Sequence, residues 1–239
     1  MPEFDNEKYD LPSDEAASNK LNRLRAAVLG ANDGIVSTSS VVMGVAGATE
    51  DASVIVLTGF AALIAGALSM AVGEYVSVSS QADAERACVR EEQKDLREIP
   101  EYELDELARE YIKHGLSPNT ARQVALELTK KDALRAHLRI HFNLDPDDIN
   151  NPLQAAIASL LAFSAGGLVP FATVTIAPAS SRVVATMFAV LAALFLVGYL
   201  SAMVANASRL RAVSRVVFGG LLAMIVTYYV GALFGTTVG

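Results

Sequence analysis

The stretch Val54 to Ser80, VIVLTGFAALIAGALSMAVGEYVSVSS, holds a single charged side chain, Glu74. An α-helix rises about 1.5 Å per residue, so roughly 20 apolar residues cross the ~30 Å hydrocarbon core of a bilayer. This run is long enough. It shows no strand-like alternation, and a backbone in lipid must satisfy its own hydrogen bonds, so it reads as a transmembrane helix. Working outward, four more runs meet the same requirement: Ala26 to Ala48, Leu153 to Ala177, Val183 to Ala205 and Val216 to Val238. Hydrophobic residues make up 52% of the chain, above the roughly 45–50% apolar content of a soluble domain, and the excess has to face lipid. The expected fold is an all-α integral membrane protein of five transmembrane helices, with a helical insert between the second and third.

Charge locates that insert. Of 26 acidic and 19 basic residues, 16 and 11 fall between Gln81 and Pro152. The expected organisation is a polar N-terminal tail over 1–25, transmembrane helices over 26–80, the insert over 81–152 and three further membrane helices over 153–239. Residues 1–19 are acidic and polar, without the apolar segment of a cleavable signal. The lone Cys88 excludes an intrachain disulfide and a CxxC zinc or redox motif; it reads as an ordinary small helix residue.

Orientation follows from Lys and Arg. Lys20, Arg23 and Arg25 precede the first helix, whereas the hairpin Thr49-Glu50-Asp51 has no basic residue. Only Arg182 lies between the third and fourth helices, and Arg209, Arg211 and Arg215 lie between the fourth and fifth. The pattern predicts a cytosolic N-terminus and insert.

Within the insert, Leu104, Leu107, Ala108 and Tyr111 fall at i, i+3, i+4 and i+7, as do Ala121, Val124, Ala125 and Leu128, so each segment has one apolar face. Pro100, Gly115 with Pro118, and Asp145-Pro146 punctuate three or four short helices. No breaker other than isolated glycines stands between Val54 and about Glu98, which predicts that the second membrane helix continues into the insert as a stalk.

Two patterns carry chemistry. Asp33, Ser37, Ser40, Gly44 and Gly47 form a small, polar stripe on the first helix, and Gly66, Ser69, Gly73, Ser77 and Ser80 repeat it on the second, beside Met70 and Glu74. Small residues also serve close helix packing. A membrane carboxylate is costly and marks an ion or proton path, which singles out Asp33 and Glu74. Met70 adds a soft thioether one turn from Glu74, a pairing suited to a transition metal rather than Ca²⁺ or Mg²⁺. In the insert, Glu92 with Asp95, Glu103 with Glu106, and His137 with His141 each share a helix face, and three such faces converging would make a site of oxygen and nitrogen donors. Each pair by itself also fits a solvated helix face.

The segments Gly30-Ala-Asn-Asp-Gly-Ile35, Ala65-Gly-Ala-Leu-Ser-Met-Ala-Val-Gly-Glu-Tyr75, Pro152-Leu-Gln-Ala-Ala156 and Gly166-Gly-Leu-Val-Pro170 resemble the vacuolar iron transporter family, with its nodulin-like and bacterial members. The resemblance covers about Leu21 to Gly239. It implies a five-helix dimer with a cytosolic metal-binding insert and proton-coupled antiport of Fe²⁺, with Mn²⁺ as an alternative cargo. By position, Asp33 and Met70 match the family's pore aspartate and methionine, and Glu92, Asp95, Glu103 and Glu106 match four acidic ligands of its insert. The chain departs from plant-type members where Asp95 shortens a glutamate, His137 replaces a methionine, His141 replaces a glutamate, and Ala62 stands for a membrane glutamate that Glu74 would replace in proton coupling. A nitrogen-richer ligand set widens the expected ions to Zn²⁺ and Co²⁺.

The resulting expectation is not an enzyme but a homodimeric exporter of Fe²⁺ or Mn²⁺, with protons as counter-ion. Its setting would be a bacterial cytoplasmic membrane, or a vacuolar one in a eukaryote. The competing readings are a membrane-anchored metal sensor or storage scaffold, and a ferroxidase-like enzyme. Di-iron carboxylate sites use Glu-x-x-His, and Leu134 and Leu138 occupy the positions three before His137 and His141.

Overall fold

The computed structural model describes residues 14–147 and 151–238. These form seven helices: α1 (Asp14–Ala48), α2 (Ala52–Glu98), α3 (Pro100–Lys113), α4 (Pro118–Phe142), α5 (Pro152–Ile176), α6 (Arg182–Val204) and α7 (Arg209–Val238), with no strand among the described residues. Five of them, α1, α2, α5, α6 and α7, are long and apolar enough to cross a membrane. The protein is an all-α, multi-pass membrane protein. Of the expected polar tail, residues 1–13 lie outside the described residues, and residues 14–25 continue α1 as helix; the segment from Asp14 to Arg25 is rich in Ala, Leu, Lys and Arg, all strong helix formers.

The chain divides into two compact units, one formed by the sequence before Glu74 and after Ala155, the other by Glu74–Ala155. In the first, glycine sets the interhelical distance. A Cβ added to Gly34 would lie 2.1 Å from the Phe163 carbonyl oxygen, and one on Gly231 would lie 1.7 Å from that of Gly44. The backbones of α1 and α5, and of α1 and α7, therefore touch, which only a residue without Cβ permits. Thus Gly44 of the predicted stripe on α1 is spent on packing. Ile35, Met43, Val190, Leu194 and Met224 fill the interior between α1, α6 and α7. Leu57, Phe188, Phe218 and Leu233 point outward at 64–70% exposure, a surface that water would not tolerate and lipid does.

The second unit is built on the predicted apolar faces. Leu107, Ala108 and Ala125 are its buried centre, flanked by Leu104, Tyr111, Ala136 and Ile140. Three punctuation marks set its path. Pro100 occupies the first turn of α3, where its missing N–H is not needed. Gly115, at φ 96°, makes the left-handed turn after α3. Ser117 caps α4, its hydroxyl accepting from the Thr120 N–H at 3.3 Å. A fourth was not visible in the sequence: the helical backbone of α4 breaks at Asp132, at φ −166° and ψ 91°. The Asp132 carboxylate accepts from the Arg135 N–H at 3.0 Å, capping the last segment of α4 as a new helix start. That segment carries both insert histidines.

Candidate metal centre

The last stretch of α2, the first turn of α3 and the re-started end of α4 bring Glu92, Glu103 and His137 together, with one donor atom of each lying within 4.8 Å of the others. His137 Nδ1 is 2.8 Å from Glu92 Oε1 and 3.3 Å from Glu103 Oε2. His137 is fully buried, and Glu92 and Glu103 are 9% and 5% exposed. Despite these distances, Glu92 Oε1 and both His137 ring nitrogens have no hydrogen-bond partner among the described residues. Buried polar atoms left unpaired are expensive. One ring nitrogen, Nδ1, and the two carboxylates face a common space. Two ligands about 2.0–2.2 Å from one ion sit roughly 3.0–3.4 Å apart at tetrahedral or octahedral angles, and the observed spacings are of this size.

The electrostatics agree with the geometry. Burial, followed by the charges of Glu103, Glu106, Asp95 and Glu91, raises Glu92 from an ordinary 4.5 to about 7. Burial foremost, then Glu106 and Asp95, also raises Glu103. Burial, followed by His141, lowers His137 to about 4. The close approach of His137 to Glu92 is thus no ion pair at neutral pH, because the imidazole is uncharged there. A cation among these groups would relieve both the carboxylate repulsion and the unpaired nitrogen.

Beside the trio lies a cavity of about 190 Å³ lined by Cys88, Glu91, Glu92, Asp95, Glu103, Glu106, His141 and Phe142. Asp95, Glu106 and His141 therefore face the same space, and the buried His141 Nε2 is also without a hydrogen-bond partner. The two histidine rings stand 5.6 Å apart. Of the six predicted insert residues, Glu92, Glu103 and His137 form the tight cluster, and all but His137 line the cavity. Sequence reading passed over Cys88, Glu91 and Asp132. Cys88 could have been found four residues before Glu92, on the same helix face.

The membrane residues have separate settings. Asp33, half-buried on α1, accepts from the Ser37 hydroxyl at 2.7 Å. Met70 packs against Leu63, Ala67 and Phe163. Glu74 is half-buried on α2, four residues beyond Met70.

Fold and site define a multi-pass helical membrane protein whose Glu74–Ala155 unit gathers carboxylates and imidazoles able to hold a metal ion. The profile of the VIT family matches residues 24–232. A vacuolar iron transporter from Acanthamoeba castellanii is 39% identical over 214 residues, 89% of this chain and 79% of that protein. Vacuolar iron transporter homolog 2 of Arabidopsis thaliana is 37% identical over 89% of this chain and 84% of its own length. The VIT-like transporter 1b of Glycine max is 34% identical over 90% and 77%. The chain belongs to the VIT family, and is a transport protein rather than an enzyme.

Proposed function

We propose that the protein exports a divalent transition metal from the cytosol, with Fe²⁺ the leading cargo and Mn²⁺ the alternative, in exchange for protons. The observation that carries this reading is the buried convergence of Glu92, Glu103 and His137, with Glu92 Oε1 and the His137 nitrogens unpaired among the described residues, in a five-span membrane protein; the iron named in its relatives supports the cargo. A pure oxygen cage would suit Mg²⁺ or Ca²⁺, whereas an imidazole among carboxylates favours Fe²⁺, Mn²⁺, Co²⁺ or Zn²⁺.

In this reading residues 81–152 face the cytosol, as the Lys and Arg distribution indicates, and collect the ion. Glu92, Glu103 and His137 hold it, with Asp95, Glu106 and His141 as further donors around the cavity. Asp33 and Met70 receive it within the membrane. Glu74 carries the counter-flowing proton. Two copies related by a two-fold axis line the path, because the close-packed glycine contacts of α1 with α5 and α7 leave little room for an ion within one copy.

Reconstitution in proteoliposomes tests this directly. Fe²⁺, Mn²⁺, Co²⁺ or Zn²⁺ is offered on the side of the insert, and metal uptake and lumenal pH are recorded together. Metal entry with lumenal alkalinisation is expected. Metal entry at constant pH would remove the antiport; no entry of any of the four would remove the export reading.

A further inference from the structure

Cys88, Glu91, Glu92 and Asp95 all line the 190 Å³ cavity from α2. Their spacing of i, i+3, i+4 and i+7 puts them on one helix face, so the thiol looks into the same space as Glu92, one turn away. Glu103 and Glu106 of α3 stand across the cavity, with His141 at the end of α4. Cys88 is a free thiol, partly exposed. An ordinary structural cysteine is a small hydrophobe among apolar neighbours, whereas here the surroundings are five carboxylates, an imidazole and one phenyl ring. Independently of the thiol, the surroundings are built for a ligand: Glu92, nine-tenths buried, reaches from this wall to the fully buried His137 with its Oε1 unpartnered among the described residues, and the Nε2 of His141, which lines the cavity, is unpartnered there too.

We propose that Cys88 is a thiolate donor to a divalent cation held in this cavity, and that it biases the site toward Fe²⁺, Co²⁺ and Zn²⁺ over Mn²⁺. The inference rests on the metal-binding reading given above and adds a ligand and a selectivity to it. Carboxylate and imidazole donors already bind Mn²⁺ more weakly than the later ions, and a thiolate, being a soft ligand, widens that gap toward the zinc end of the series. On binding, the S–H bond breaks, a sulfur–metal bond forms and the proton leaves to solvent. No electron is transferred.

The chain has one cysteine, so thiol chemistry on the full-length protein in detergent reports this residue alone. Under anaerobic, reducing conditions the protein is titrated with Co²⁺, following both the visible d–d bands and the near-ultraviolet thiolate-to-cobalt charge-transfer band. Alkylation by N-ethylmaleimide is timed in parallel, with Zn²⁺, with Mn²⁺ and without metal. The expected result is a charge-transfer band that saturates with the d–d bands, and alkylation slowed by Zn²⁺ more than by Mn²⁺. Cys88→Ser should abolish the charge-transfer band, keep the d–d bands, weaken Co²⁺ and Zn²⁺ by at least about tenfold and leave Mn²⁺ within about twofold. Visible cobalt bands without a thiolate band in the unmodified protein would overturn the proposal while leaving the metal centre intact. Absence of any metal signal would overturn both. The spectrum and the alkylation rate need no variant, so a poorly folding Cys88→Ser does not shield the idea.

Discussion

His137 Nδ1 lies 2.8 Å from Glu92 Oε1, and neither atom has a hydrogen-bond partner among the described residues. Burial holds the imidazole neutral, down at about 4, and holds the carboxyl up at about 7. The metal-free site thus resists charge on both partners, and a divalent cation removes the conflict.

Metal affinity should fall as pH drops from about 8 to about 6, because the proton on Glu92 competes with the ion in that window. Sequence alone would place this dependence on the histidines near 6.5; burial transfers it to the carboxylate. His137, at about 4, takes up no second proton there. Calorimetric titration of the full-length protein with Mn²⁺ should show a slope that Glu92→Gln flattens. His137→Ala should weaken binding and leave the slope. The reverse pattern would mean that the imidazole is the titrating group.

The metal-free stability should carry the same signature. A carboxylate raised in the folded state contributes stability that is present below its ordinary 4.5 and lost as pH rises to about 7, at a cost of roughly 3 kcal/mol at most. A lowered histidine acts oppositely, its stability being present above the ordinary range and lost as pH falls toward about 4. Metal-free Glu92→Gln should therefore melt at a higher temperature than the parent at pH 8, with most of that difference gone at pH 5. Thermal melts with chelator present decide this, and equal melting at pH 8 would refute the burial argument.

Asp132 positions the histidines without touching them. Asp132→Ala should cost about 1 kcal/mol by loss of the cap and weaken metal binding roughly tenfold by loosening the segment that carries His137 and His141. Asp132→Asn keeps the acceptor and should restore most of both. If alanine and asparagine weaken metal equally, charge rather than capping is the cause.

Asp33→Ala should abolish metal flux in proteoliposomes while leaving the assembled protein and metal binding by the insert intact, since the hydroxyl that donates to its carboxylate, that of Ser37, is on its own helix. Normal flux through this variant would end the membrane part of the proposed pathway.

Two glycines of α7 make an internal comparison. A methyl group on Gly231 would strike the Gly44 backbone at 1.7 Å, whereas one on Gly219 would meet nothing within 4 Å. Gly231→Ala should cut the yield of folded protein severely. Gly219→Ala should stabilise by up to about 1 kcal/mol, because alanine loses less backbone freedom in a helix. Similar yields and melts for the two would show that α1 and α7 tolerate separation.

Some of this protein is local chemistry and needs no tertiary contact. The five spans could be placed from Val54–Ser80 and its counterparts because the length and apolarity a bilayer demands are properties of each segment alone. The apolar faces of α3 and α4, and the stops at Pro100 and Gly115, follow from periodicity and backbone restriction in the same way. The pairs Glu92 with Asp95, Glu103 with Glu106 and His137 with His141 were visible because residues three or four apart share a helix face. Which donors meet was not visible. Glu92 and Glu103 meet His137, and share a cavity wall with Asp95, Glu106 and His141, only because α2, α3 and the end of α4 fold onto one another after a break at Asp132 that no proline or glycine announces. Burial is likewise a property of the assembled unit, and burial is what exchanges the expected titration of His137 for that of Glu92. Cys88 looked inert for the same reason: a residue's neighbours along the chain fix its face, but only packing decides what that face looks upon.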